Sequence, residues 1–252
     1  MDEREQPFMS HLSELRTCLT RAIIGVFVSM VICYIFVEHI MLILRKPMMK
    51  IMPDSAVFVV LSPQEYFFTE LKAALFFGVI LACPWIFWQL WRFVAPGLYL
   101  SEKRLFLFFV IGASFCFALG ICFAYFLVFP PAFEYFLGLL PPGVQGSYSV
   151  GMLYGFSITL LLAFGVIFQT PIAVFLLVVF DLVQAETFAK HRRLIFVLAF
   201  VVGALLTPPD PITQVMLALP AYGLFELGLL LAKIVKKTSP KVEPQLSENS
   251  AK

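Results

Sequence analysis

Charge is what this sequence has least of. Across 252 residues only 13% are charged and 61% are hydrophobic, whereas soluble domains carry about a quarter charged residues. The mean hydropathy of +0.93 excludes an ordinary soluble domain. Histidine is scarce too. His11, His39 and His191 lie outside the centres of the apolar runs, and no HExxH is present, so no zinc-binding pattern appears. Cys18, Cys33, Cys83, Cys116 and Cys122 form no CxxC and no disulfide spacing; they read as small apolar side chains. There is no P-loop, so ATP is not the energy source within this chain. Gly112-Ala113-Ser114 resembles a nucleophile motif only in outline, with no intramembrane base beside it. The opening Met-Asp-Glu-Arg-Glu-Gln is not the basic n-region of a signal peptide, and the first apolar run is expected to persist as a span. Nothing calls for a cofactor, a metal or nucleic acid, and no enzyme signature is found.

What remains is a series of apolar runs of helical length, which predicts an all-α integral membrane protein with six transmembrane helices. Residues 7–21 read as an interfacial helix, with Pro7 in its first turn and Phe8, Leu12, Leu15 and Leu19 on one face. The first span follows at 22–37. Residues 38–54 read as a loop with an amphipathic piece, broken by Pro47 and Pro53. Ser62-Pro63-Gln64-Glu65 is a capping box that opens a helix to about Phe93, about 46 Å long. Ala95-Pro96-Gly97 then breaks the chain into a polar hinge over 92–104, with Ser101 and Glu102 at the next helix start. The third span runs 105–129 to Pro130-Pro131, a loop covers 134–151, and the fourth span lies within 150–180, with Gln169-Thr170-Pro171 near its middle. The fifth and sixth apolar runs, 194–206 and 212–225, are unusually short; Asp210 is placed to cap the sixth at Pro211. Residues 1–232 read as one membrane domain and 233–252 as a disordered tail. No repeat of the first half in the second is visible, which argues against an inverted-repeat transporter.

The basic residues orient the chain. Fourteen of the eighteen lysines and arginines fall in the N-terminal segment, the hinge, the 181–193 loop and the tail. Arg45, Lys46, Lys50 and Lys72 make up the other side. Both termini and the hinge are therefore expected in the cytoplasm.

Few polar residues remain as candidates. Glu14 and Glu102 stand at the cytoplasmic mouths of the first and third spans. Their plain readings are a solvated face residue and a helix-dipole acid; the functional reading is a carboxylate pair for a cationic peptide. Exposed ion pairs contribute about 0.2–1 kcal/mol each, and micromolar binding needs about 8, so apolar contacts must supply most of the affinity. Gln169 is a buried-depth amide equally suited to a helix–helix hydrogen bond and to partner docking. Thr207, Asp210, Gln214 and Glu226 cluster on the last hairpin, where Asp210 and Glu226 also allow a second reading, relay groups of a proton- or ion-coupled permease.

Ordered stretches of this chain resemble the TatC family, the multi-spanning receptors of twin-arginine protein translocases. They are His11-Leu12-Ser13-Glu14-Leu15-Arg16, then 93–99 with Glu102-Lys103-Arg104, then Phe123-Ala124-Tyr125-Phe126 with Phe129-Pro130. Ala163-Phe164-Gly165-Val166 before position 169 and Pro171 follows, and Thr207-Pro208-Pro209-Asp210 with Gln214, Pro220 and Phe225-Glu226 is the last. The resemblance implies a concave, cup-like six-helix wall in the cytoplasmic (inner) membrane, both termini cytoplasmic. It implies binding of the twin-arginine signal peptides of folded cargo, with Glu14 and Glu102 contacting the arginine pair and Arg16 and Arg104 shaping the site. It implies docking of single-span TatA- and TatB-type subunits at Thr207 and Gln214, with Asp210 in the adjoining turn, in an oligomeric complex driven by the transmembrane electrochemical gradient. Membrane lipid is the remaining partner. Family members often carry glutamate at position 169; here Gln169 keeps the hydrogen bonding and loses the charge.

Overall fold

Prolines and the groups that compensate for them set where the helices stop, bend or continue. The computed structural model describes residues 5–52, 57–94, 103–139, 147–206 and 211–238. The elements run α1 (Glu5–Ile35), α2 (Val37–Ile51), β1 (Val57–Val59), α3 (Pro63–Val94), α4 (Lys103–Phe123), a π-helical turn (Ala124–Val128) and α5 (Phe129–Gly138). They continue with β2 (Ser147–Ser149), α6 (Val150–Ile167), α7 (Thr170–Val179), α8 (Ala185–Lys190), α9 (Arg192–Leu206) and α10 (Pro211–Thr238). Five helical stretches among the described residues are long and apolar enough to span a bilayer: Leu12–Ile35, Pro63–Phe93, Phe109–Gly138, Val150–Val179 and Pro211–Lys236. The sixth segment, α9, has 15 residues, about 22 Å against a hydrocarbon core of about 30 Å.

Several expectations hold in detail. α3 starts at Pro63 and stops at Val94, directly before Ala95-Pro96-Gly97, after 32 residues. α6 gives way to α7 at Gln169, because Pro171 lacks the N–H that would bond the Ile167 carbonyl. α10 starts at Pro211.

Other boundaries differ. The interfacial helix and first span are one continuous α1 of 31 residues. The segment read as a loop after it is α2, an α-helix with Val37, Ile40, Met41, Leu44, Pro47 and Met48 buried along one stripe. That spacing is the helical period itself, and it outweighs Pro47. Pro130-Pro131 does not end the third span either. The π-helical turn ahead of it lets the Phe129 N–H reach the Ala124 carbonyl, five residues back. Both prolines then fall at the start of α5, where their missing N–H groups are least missed. The sixth helix outruns its short apolar run, continuing for 28 residues through Glu226 to Thr238, so the first part of the expected tail is helical. Residues 239–252, like the turn at Pro141-Pro142-Gly143, lie outside the described residues.

α1 packs along α3, α4 and α6 pack against α3 and each other, and α10 packs on α7 and α9. Apolar burial drives little of this in lipid, so close approach and internal polar bonds matter more. At Gly228 of α10 a Cβ would sit 2.6 Å from the Pro171 Cα of α7, so only glycine fits where the helices cross. Phe129, Phe164, Leu160 and Leu161 fill the centre of the main cluster.

The two short strands align the helix starts they precede. β1 and β2 pair in parallel, Val57 opposite Ser147 and Val59 opposite Ser149, which brings the first turns of α3 and α6 side by side. Glu65 of the capping box ties them together. Its carboxylate accepts the Leu61 and Gly151 N–H groups, each at 2.8 Å, and the hydroxyl of Ser149, the α6 N-cap.

Candidate functional site

The N-terminal half of α1 carries Glu14, Thr17, Cys18 and Arg21 at helical spacing, so they share one face. That face meets the last turn of α3. Ser13, Glu14, Thr17, Cys18 and Arg21 line a cleft of about 350 Å³ closed on its other side by Arg92. The Trp85 indole N–H donates to the Arg21 carbonyl at 3.0 Å, fixing α1 on α3 just below the cleft. Gly25, one turn on, leaves room for that ring: a Cβ there would lie 2.4 Å from Trp85 Cδ1. Beyond Arg92 the hinge begins. Its two ends are joined by aromatic packing, with Trp91 buried and its ring 4.7 Å from that of Phe109 in α4.

Of the residues assigned to peptide recognition, Glu14 lines the cleft and is exposed. Arg16 is exposed but, two positions along the helix, is turned to another face of α1. Glu102 lies outside the described residues; Arg104 belongs to the first turn of α4, with its side chain outside them. The structure therefore brings together Glu14, Arg21 and Arg92. Arg21 and Arg92 were missed as site residues. The spacing from Glu14 to Arg21 was a signal in the sequence; the approach of Arg92 from a helix some seventy residues away was not. Chemically, one carboxylate and two guanidinium groups share a small hydroxyl-lined cleft. A cationic ligand approaching Glu14 meets two like charges, so a second acid is needed to favour it.

The intramembrane polar residues are engaged internally. Gln169, at the break between α6 and α7, donates its Nε2–H to the Ala113 carbonyl of α4 at 3.1 Å, while its buried Oε1 has no partner among the described residues. Gln214 donates to the Phe200 carbonyl at 3.0 Å, closing the α9–α10 hairpin. Thr207 and Asp210, in the turn of that hairpin, lie outside the described residues. α9 has Gly203 as its one buried residue, and Leu194, Val197, Leu198, Val201 and Leu205 are all exposed, on one helical face. Glu226 is not a solitary intramembrane acid. It pairs with Arg192 at 2.9 Å and accepts the Tyr222 hydroxyl at 2.9 Å. A second pair, Lys236 with Asp181, joins the end of α10 to the loop after α7. Ser114, the would-be nucleophile, donates to the Val110 carbonyl of its own helix at 2.7 Å.

Residues 10–220 match the family model described as Sec-independent protein translocase protein (TatC). The Sec-independent protein translocase protein TatC of Desulforapulum autotrophicum is 39% identical over 249 residues, covering 99% of this chain and 92% of that one. The protein of the same name from Escherichia coli K12 is 38% identical over 231 residues, 92% of this chain and 90% of its own. A crystal structure of a twin arginine translocase receptor, TatC, superposes with a TM-score of 0.80 at 37% identity, over 90% of this chain and 99% of that one.

Proposed function

Because this chain belongs to the TatC family of Sec-independent protein translocase proteins, we propose that it is the receptor and core subunit of a twin-arginine translocase. In this reading it binds the twin-arginine signal peptides of folded cargo at a divided cytoplasmic site, with Glu14 on α1 and Glu102 at the start of α4. The observation that carries the reading is the cleft at Glu14, whose far wall is Arg92, the residue at which α3 enters the hinge that holds Glu102. Arg21 and Arg92 set the requirement for both acids: neither carboxylate alone outweighs them. Arg104 contributes from the hinge side and Arg16 from the rim.

Single-span TatA- and TatB-type subunits dock along α9 and α10, near Thr207, Asp210 and Gln214, with Gln169 as a further polar point. The exposed face of the short α9 supports this, since a full-length partner helix would shield a segment too short for the bilayer. Residues 1–232 act as one membrane unit in the cytoplasmic (inner) membrane with both termini in the cytoplasm. The packed centre around Phe129 and Phe164 leaves a conduit for folded cargo to be assembled from several subunits. A permease relay through Glu226 is disfavoured by its pairing with Arg192.

The test is export of a twin-arginine cargo by the Glu102→Lys chain. Export is abolished with protein abundance near normal; a loss of protein in place of a loss of export would reduce Glu102 to a helix cap.

A further inference from the structure

We propose that the groove between α2 and the π-helical turn after α4 is a binding site for one anionic phospholipid, in the leaflet at the end of the bundle remote from Glu14. The groove measures about 580 Å³, with Lys46 and Lys50 on one wall, Tyr125, Phe126 and Pro130 on the other, and Ile43 between them. Lys46 and Lys50 are four residues apart on α2 and so project from one face. Both are exposed, and neither forms an ion pair with a described residue. The neighbouring base Arg45 is engaged elsewhere, its guanidinium 4.9 Å from the Phe58 ring centroid. The charge facing the groove is therefore that of two ammonium groups.

The opposite wall is of another character. Phe126 and Leu127 are 67% and 59% exposed within the Phe109–Gly138 span, so this side of the groove opens to hydrocarbon. Two cations at the rim and an apolar wall below them match a phospholipid, phosphate between Lys46 and Lys50 and acyl chain along Ile43, Phe126 and Pro130. A free phosphate would use only the first of these features. The placement is also unusual for the chain. Three of its four bases outside the proposed cytoplasmic segments lie within Arg45–Lys50, on the side where bases are otherwise avoided.

The experiment uses the purified full chain, delipidated in neutral detergent and titrated with phosphatidylglycerol, with phosphatidylcholine of the same acyl chains, or with glycerol 3-phosphate. Bound lipid is counted by native mass spectrometry. Phosphatidylglycerol is retained at one copy per chain, and the other two are not. Lys46→Gln with Lys50→Gln lowers that retention on the order of tenfold, the Lys→Arg pair keeps it, and Lys72→Gln, an exposed base on α3, leaves it unchanged. Equal retention of the two lipids, retention of glycerol 3-phosphate alone, or a glutamine pair that binds like the parent overturns the proposal. So does a photocrosslinker at Phe126 that captures a protein and no lipid in cells. Should the glutamine pair not fold, the comparison of the two lipids on the parent chain decides alone.

Discussion

The Tyr125 hydroxyl donates a hydrogen bond of 2.7 Å to the Ile43 carbonyl, the one carbonyl of α2 that Pro47, four residues on, leaves without its helical N–H. A proline inside a helix removes an N–H donor; here a side chain from the π-helical turn, across the bundle, supplies the replacement. This explains how α2 continues through Pro47, and it makes the two residues energetically dependent on each other.

Tyr125→Phe should therefore destabilise the chain by about 0.5–1.5 kcal/mol, the net worth of one such hydrogen bond. Pro47→Ala restores a backbone donor, so in the Pro47→Ala background the same Tyr125→Phe change should cost well under half as much. Thermal unfolding of the four chains in detergent gives the coupling. Additive effects would mean that the hydroxyl and the proline act separately.

Glu65 is the link between the starts of α3 and α6. Its carboxylate serves the Leu61 and Gly151 N–H groups and the Ser149 hydroxyl together. Glu65→Ala leaves all three donors without this acceptor and should lower the thermal stability of the chain, because two helix starts lose their shared partner at once. Gly151→Ala should be harmful for a steric reason, since its Cβ would lie 2.5 Å from Glu65 Oε1. In both variants export should fall in step with protein abundance, as measured by quantitative blotting. Export lost at full abundance would give Glu65 a role beyond holding the fold.

Glu226 tests the competing permease reading. Its partner Arg192 has a side chain 46% exposed, and exposed pairs contribute about 0.2–1 kcal/mol. Glu226→Gln should keep the Tyr222 hydrogen bond, lower stability by no more than about 1 kcal/mol, and leave export close to the parent rate. A relay acid would behave otherwise: the glutamine variant would be folded, abundant and inactive.

Much of this was legible in the sequence, for local reasons. Ser62-Pro63 and Ala95-Pro96-Gly97 state the ends of α3 by chain stereochemistry, and Pro171 after Gln169 states the break between α6 and α7. α2 is not legible as a helix because Pro47 interrupts the stripe Val37, Ile40, Met41, Leu44 and Met48; the donor that compensates for it, Tyr125, lies 82 positions from Ile43. The passage through Pro130-Pro131 depends on a π-helical turn, for which apolar periodicity gives no sign. At the candidate site Glu14 was legible as an acid at a membrane mouth. Arg92 as its neighbour was not, because it depends on the rotation of α1 against α3, set by Trp85 over Gly25 and the Arg21 carbonyl. The tertiary contacts that complete the sites are the part no local pattern encodes.

In the proposed function Glu14 and Glu102 form the two halves of one recognition site. Photocrosslinkers placed at positions 14 and 102 of the full chain, in membranes, should both capture a signal peptide carrying the twin-arginine pair. Capture at both positions should drop together when the pair is changed to two lysines, whose ammonium groups cannot make the bidentate bonds a guanidinium makes to a carboxylate. Capture of the arginine and lysine peptides to the same extent, or capture at one position alone, would contradict the account.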